Sequence, residues 1–477
     1  MIALLCALLS GGMFYSAFGL DNAWMLAWIA PAPLLWLAYG DAPRWQVMAA
    51  SLFASAMGTA YFIQAYGTFV LGYAIVIVVG NGLLSGASLL LARRALRKLA
   101  PVTALFIFPA LWTSVEFLES WISPHGAWGA IGYSQVDWPA AIQVASITGV
   151  YGVTFVLCLF ANAVALALKG ERLVAVFGAA LTIAVIAGGY ARLTSPQGTP
   201  LPVAALADMT AKGSSDTKLD IARRYAAAIR SAGARGAKVF VTPETGIESD
   251  ALPPVRAASA DTGTLVVAGT RSRMPQRNMA VAFVSGEQAL VYDKRHRLFP
   301  DEAKYRAGTR AGLIGNGMAV AICKDLDFPR TIRGDAQAGI RLMMVPANDF
   351  YLDDWLHARQ AVMRGVENGF AVVRTAVHGL ATVSDDRGRI LALARAEKPG
   401  FVIAQADVPL GSGPTLYTRY GDWFAWLCVA LAIGLSALVF RVGVRAQSAG
   451  AKKVIMPDPL PQWPSVSAAP KTAEAHP

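Results

Sequence analysis

Eight apolar runs, unevenly spread, constrain this chain more than any other feature. Seven lie in the first 190 residues, at roughly 2–20, 23–39, 46–65, 69–92, 101–121, 140–168 and 172–190, and the eighth follows a long gap, at 423–440. Runs of about 20 apolar residues match the thickness of a bilayer core as helices. The interval from about 200 to 410 is ordinary in composition, so it reads as one globular domain between membrane segments. The first two runs are short enough to form a re-entrant pair. Residues 1–20 have the length of a signal peptide, but the first basic residue is Arg44, so an uncleaved first span is expected.

Charge sets the orientation. A net charge of +11 would suggest a nucleic-acid partner in a soluble chain. Here Arg44, the cluster Arg93 to Lys98, Lys169 with Arg172, and the basic residues from Arg441 onward follow runs two, four, six and eight. Positive residues mark the cytoplasmic side, so the even-numbered exits face the cytoplasm. The expected layout is a seven-span membrane domain over 1–192, an extracytoplasmic domain over 193–415, a last span over 416–445 and a disordered cytoplasmic tail over 446–477.

The globular interval reads as layered α/β. Strands are expected at 202–207, 238–243, 264–270, 278–285, 288–293, 318–323, 341–347, 371–376, 380–384, 389–394 and 401–406, with helices at 217–233, 328–338 and 353–369. Runs such as KVFVTP and RLMMVPA are apolar throughout, as in sheets covered on both faces. The six residues GLIGNG at 312–317 have the wrong spacing for a dinucleotide loop and are expected to make turns.

Of four cysteines, Cys6, Cys158 and Cys428 fall in apolar runs, which leaves Cys323 as the one thiol of the globular part. The five histidines are scattered, and no spacing suggests a metal site; no metal or cofactor is implied. Cys323 closes the apolar stretch MAVAI and is either a small core residue or a nucleophile. Glu244, in VTPETG, and Lys294, in VYDKRH, also stand just past strands. Singly, each charge reads as a solvated loop residue. Together, a carboxylate to move a proton, a thiol to attack a carbonyl and an ammonium to stabilise the oxyanion make a coherent acyl-transfer set. The sequence GYSQV at 132–136 lacks the second glycine of a serine-hydrolase elbow. His357, Arg364 and Glu367 share one helix face and read as a buried structural network. The aromatic- and glycine-rich loop from Ser120 to Asp137 reads either as an interfacial belt or as a platform that meets the domain or holds a lipid.

Glu, Lys and Cys in this order at strand ends resemble the nitrilase (carbon–nitrogen hydrolase) superfamily and its αββα sandwich. The membrane motifs GAWGAIGYSQVD, QVASITGVYGVTFVL and GPTLYTRYGDW, with VMRGVENGFAVVRTAVHGLATVSDDRGRI, resemble the apolipoprotein N-acyltransferase family over about residues 1–445. The resemblance implies Glu244 as base, Lys294 as oxyanion cation, Cys323 as nucleophile and Glu302, eight residues after the lysine, as a second essential acid. Asp325 keeps the acid of the family's Tyr-Glu pair, while Lys324 replaces its aromatic. Other departures are the link of only 20 residues between Glu302 and Cys323, and ADMTAKGSSDTKL, which has no aromatic after the first domain strand. The implied reaction moves an acyl chain from a membrane phospholipid, through a thioester, to the amine of a diacylglyceryl-cysteine apolipoprotein, in a monomer of the bacterial inner membrane. The alternatives are a membrane-tethered amidase and a catalytically idle envelope or conjugation scaffold.

Overall fold

The structure is a computed structural model that describes residues 1–67, 70–209, 216–350 and 352–453, with side chains described only as far as residue 442. The membrane part contains α1 (Ile2–Phe18), α2 (Ala32–Tyr39), α3 (Arg44–Gly58), α4 (Tyr61–Tyr66), α5 (Leu71–Lys98), α6 (Pro101–Ile122), α7 (Pro139–Ile142), α8 (Ala145–Thr148), α9 (Val150–Leu168) and α10 (Arg172–Leu193).

Among the described residues six helices are long and apolar enough to cross a membrane, not eight: Arg44–Tyr66, Leu71–Lys98, Pro101–Ile122, Val150–Leu168, Arg172–Leu193 and Trp423–Val442. The first run makes a helix of 17 residues. The second is split into a 3-10 turn at Trp24–Trp28 and the short α2, because Pro31 cannot donate a helical hydrogen bond. The run at 140–168 is divided at Gly149, whose φ of 71° ends one helix and starts the next.

Among the described residues the globular part has thirteen strands: β1 (Pro200–Asp208), β2 (Val239–Val241), β3 (Ile247–Glu248), β4 (Leu265–Arg273), β5 (Gln276–Val284), β6 (Glu287–Asp293), β7 (Gly312–Gly315), β8 (Met318–Val320), β9 (Leu342–Asn348), β10 (Ala371–Val377), β11 (Leu380–Ser384), β12 (Ile390–Arg395) and β13 (Phe401–Pro409). Its helices are α11 (Lys218–Ala234), α12 (Pro253–Thr262), α13 (Pro329–Ala336) and α14 (Asp354–Asn368); α15 (Leu416–Tyr420) and α16 (Trp423–Lys453) return the chain to the membrane. Every expected strand and helix of the domain has a counterpart. Sequence reading missed β3 and α12, whose PPVRAASADT has only a weak apolar stripe. It also took GLIGNG for turns, whereas Gly312–Gly315 pairs antiparallel with β8 in a hairpin.

The strands form two faces of one folded-over sheet. One half runs β6-β5-β4-β2-β1, with β13 antiparallel on β1, and the other runs β10-β9-β8-β7. They meet through a single parallel pair, Asp208 with Val377. Side chains alternate across each strand. Val203, Val241, Val267, Val320, Met344 and Val373 fill the space between the halves. Leu206, Phe240 and Val266 face α11 and α12, while Ala321, Met343 and Val345 face α13 and α14. The result is the expected helix–sheet–sheet–helix sandwich.

Helix α14 seats this sandwich on the membrane part. Arg364, fully buried, donates to the Tyr133 hydroxyl at 2.7 Å and pairs with Glu367 at 3.0 Å. Glu367 in turn accepts the backbone N–H of Val150, at the start of α9, at 2.7 Å. Arg359 donates to Asn22 at 2.6 Å and to the Phe18 carbonyl at 3.0 Å. The expected network on this helix therefore exists, but His357 stands apart from it and bonds Asp353 at 2.9 Å. Helix α16 continues to Lys453, past the expected start of the irregular tail at 446, and residues 454–477 lie outside the described residues.

Candidate active site

Glu244, Lys294 and Glu302 converge. Lys294 Nζ lies 2.7 Å from Glu244 Oε1 and 2.9 Å from Glu302. Asn278 Nδ2 donates to both acids, at 2.6 and 2.8 Å. Glu244 reaches this point because β2 ends in Thr242-Pro243, and Gly269 on β4 lets the turn press close. A Cβ at Gly269 would stand 2.1 Å from the Pro243 carbonyl. Lys294 leaves the end of β6, and the chain then bends until the Glu302 carboxylate caps the Leu298 N–H at 2.7 Å.

Cys323 faces the same cluster from the other half of the sheet. It was expected to end a strand, but β8 stops at Val320 and Cys323 opens a 3-10 turn, Cys323–Asp327, at a φ of 43°. A side-chain-bearing residue in this left-handed region costs on the order of 1–3 kcal/mol and persists only where the surroundings hold it. The turn lifts the thiol out of the sheet, half-buried, with Sγ 3.8 Å from the Asn348 carbonyl at the end of β9. The neighbouring carbonyl, Ala347, accepts the backbone N–H of Glu244 at 3.1 Å, so acid and thiol are anchored on adjacent residues.

Asp325 holds this turn in place. Its Oδ2 accepts the Tyr292 hydroxyl at 2.7 Å and the Ile322 N–H at 3.0 Å, and its Oδ1 accepts the N–H groups of Arg295 and His296 at 3.1 and 2.8 Å. One carboxylate thus ties the cysteine turn to the lysine loop. Burial opposes its charge, but the bonds from His296, Tyr292 and Ile322 win and hold its pKa below the usual range.

The electrostatics are those of a closed proton system. Burial, then the Glu244 charge, push the Cys323 thiol well up, against Lys294 and Arg374. Burial also raises Glu244, with Lys294 opposing. Lys294 is itself driven up: burial works against its charge, but Glu244, Cys323 and Glu302 overcome it. The ammonium stays charged, while burial favours the protonated forms of both thiol and acid.

Four residues here escaped sequence reading. Asn278 bridges the two acids; Tyr292 holds Asp325. Arg374 and Asp349 form a buried bidentate pair beside Asn348, with one contact of 2.9 Å. Asp349, just past a strand like Glu244, carried a readable signal. Asn278 carried none, since nothing in a strand residue announces which acids it will meet.

The membrane loop completes the site. Ala127 donates to the Asp327 carbonyl at 2.8 Å, and Lys324 Nζ lies 2.8 Å from His125 Nδ1 and 3.3 Å from Asp327. The loop is therefore a platform that meets the domain. Gly126 is required for that contact: its φ is 56°, and a Cβ there would stand 2.2 Å from the Asp327 carbonyl. Beneath the loop a mainly apolar chamber lies between α1, α3, α5 and α6 and is lined on the domain side by His125, Trp128, Leu356 and Arg359.

Sandwich and spanning-length helices together define a polytopic membrane protein that carries a helix–sheet–sheet–helix domain. Residues 10–163 match the family model described as Apolipoprotein N-acyltransferase N-terminal domain. An apolipoprotein N-acyltransferase of Geobacter metallireducens is 28% identical over 92% of this chain and 95% of its own length. Those of Vibrio vulnificus (24%, covering 89% and 95%) and Bradyrhizobium diazoefficiens (27%, covering 75% and 76%) are similar over most of the chain as well. Over most of its length the chain is similar to apolipoprotein N-acyltransferases. Among solved structures, an amidase from Nesterenkonia sp. matches with 18% identity and a TM-score of 0.37, covering 45% of this chain and 93% of its own. Saccharomyces cerevisiae Nit3, of the nitrilase superfamily, matches with 21% and 0.39, covering 44% and 91%.

Proposed function

We propose that this chain is the acyltransferase that its relatives' name describes. It takes a fatty acyl chain from a membrane phospholipid onto Cys323 and passes it to the N-terminal amine of a diacylglyceryl-cysteine apolipoprotein. The observation that carries this reading is the Glu244–Lys294–Glu302 cluster, brought within charge range of a strained cysteine whose turn is bonded to the loop that lines a membrane chamber.

In the first half-reaction Glu244 takes the thiol proton as Sγ attacks the ester carbonyl. The Lys294 ammonium stabilises the oxyanion. The carbon–oxygen bond breaks, Glu244 returns its proton to the departing lysophospholipid oxygen, and a thioester remains. In the second, the acceptor amine attacks the thioester, Glu244 removes the amine proton, and that proton goes to the leaving thiolate. Glu302 keeps Lys294 in place, and Asp325 positions the turn. The chamber has room and apolar walls for the acyl chain. Charge distribution along the sequence supports the bacterial inner membrane as the location, with the domain on the periplasmic side.

The test uses purified protein in detergent with labelled phosphatidylethanolamine and a diacylated lipopeptide, beside Cys323→Ala. Acyl transfer to the peptide amine, with a labelled adduct on Cys323, is the expected result. Release of free fatty acid without transfer would assign the site to hydrolysis instead, and no adduct under any condition would refute the thioester.

A further inference from the structure

A second cavity lies where α6, α9 and the start of α16 meet α13. Its polar lining has two opposite charges. Arg330 stacks on Trp121, with Cζ 3.5 Å from the ring centroid, and makes no ion pair or hydrogen bond among the described residues. Asp422, 8% exposed, accepts the Tyr417 hydroxyl at 3.0 Å and likewise has no ion-pair partner among them. Arg330 stands in the first turn of α13, where Pro329 has no N–H and Thr331 and Ile332 give theirs to the Phe328 carbonyl, so the guanidinium is the anion-binding group at that end. Thr331 and His296 complete that end of the cavity, 3.4 Å apart.

A simple anion would meet Asp422 here, and a simple cation would meet Arg330. A group carrying both charges satisfies each. We propose that this cavity holds the headgroup of a bilayer aminophospholipid, with its phosphodiester on Arg330 and its primary ammonium on Asp422. The surroundings suit a lipid. Trp121 and Trp426, about half exposed, pack edge to face with ring centroids 5.9 Å apart on the outer surface of α6 and α16, and Leu118 lies beside them, so acyl chains leaving the cavity meet an aromatic, apolar wall. A quaternary ammonium could not donate hydrogen bonds to Asp422, which favours ethanolamine over choline.

The site does not include Cys323, and its occupancy is independent of the thioester chemistry. It does touch the catalytic turn at one point. His296 bonds Asp325 at 3.1 Å through Nδ1 while its Nε2 faces Thr331 at the cavity.

The test counts lipids retained by the full chain in native mass spectrometry, with Cys323→Ala as the parent so that no turnover occurs. The parent should retain phosphatidylethanolamine in preference to phosphatidylcholine and phosphatidylglycerol. Asp422→Asn, which keeps the acceptor for Tyr417, should remove that preference by about tenfold or more. Arg330→Gln should lower retention of all three, and Arg330→Lys should restore much of it. Glycerophosphoethanolamine should displace the retained lipid, whereas inorganic phosphate at equal concentration should not. Equal retention of the three lipids, or unchanged selectivity in Asp422→Asn, would overturn the proposal. So would displacement by inorganic phosphate alone, which would mark a free-anion site. A thermal midpoint measured without added lipid separates loss of binding from loss of folding.

Discussion

Lys324 and His125 join the cysteine turn to the membrane, with Nζ 2.8 Å from Nδ1 across the boundary between domain and loop. The ammonium donates, so the imidazole must be neutral to accept. Burial, and then the Lys324 charge, push the His125 pKa down to about 4, with Asp327 opposing. Because the folded value lies below the unfolded one of 6.5, the unfolded chain binds more protons between these limits. Stability contributed at this site is therefore present above about pH 6.5 and lost as pH falls towards 4. Thermal unfolding in detergent should show that loss, and His125→Asn should flatten the slope in that window.

His357 has the opposite sign. Burial lowers its pKa, but Asp353 at 2.9 Å more than offsets this, and the value rises to about 9. The folded state then binds the extra proton, so the stability is fully present below pH 6.5 and is lost as pH climbs through 9. A shift from 6.5 to about 9 corresponds to about 3 kcal/mol. His357→Gln should lose about that much at pH 6 and little at pH 10, as read from unfolding midpoints across the range. Equal losses at both ends would show that the imidazole acts through packing alone.

The Arg364–Glu367 pair clamps the domain to the membrane part, Arg364 through the Tyr133 hydroxyl and Glu367 through the Val150 N–H. Both side chains are fully buried. Arg364→Met leaves a carboxylate without its cation, an arrangement that costs about 3–5 kcal/mol. Replacing both, as Met with Gln, should recover part of the loss, because glutamine still accepts the Val150 N–H. Limited proteolysis at the domain boundary should follow the same order, fastest in the single variant.

What the residues disclosed in advance follows from which forces are local. Strand ends are local: an apolar run stopped by Pro-Glu or by Asp-Lys places Glu244 and Lys294 just past strands, whereas the run before Cys323 leaves its strand at Val320. Their convergence is not local, because it depends on the sheet folding over at Asp208 and Val377. The two unannounced features at Cys323, its left-handed backbone and its 3-10 turn, come from the four hydrogen bonds that Asp325 collects from elsewhere. Apolar composition does not show that Pro31 breaks the second run, so that α2 begins only at Ala32. Lys324 read as a departure from the family's aromatic, and its partner His125 lies 199 residues away in a membrane loop.

Removing the proposed proton carrier gives the sharpest kinetic test of the site. Glu244→Gln keeps an acceptor for the Asn278 amide and the Lys294 ammonium but cannot move a proton, so acyl transfer should fall by about 10²–10⁴-fold. Glu302→Gln retains the Leu298 N–H contact and the shape of the loop, and its loss should be smaller, because Glu244 still anchors the ammonium at 2.7 Å. Cys323→Ser should leave no thioester, since a serine hydroxyl in the same left-handed turn is a far weaker nucleophile. Single-turnover assays that follow the Cys323 adduct separately from peptide acylation distinguish the two half-reactions. If Glu244 serves both, Glu244→Gln slows both; a variant slow in only one would assign the second proton transfer to another group.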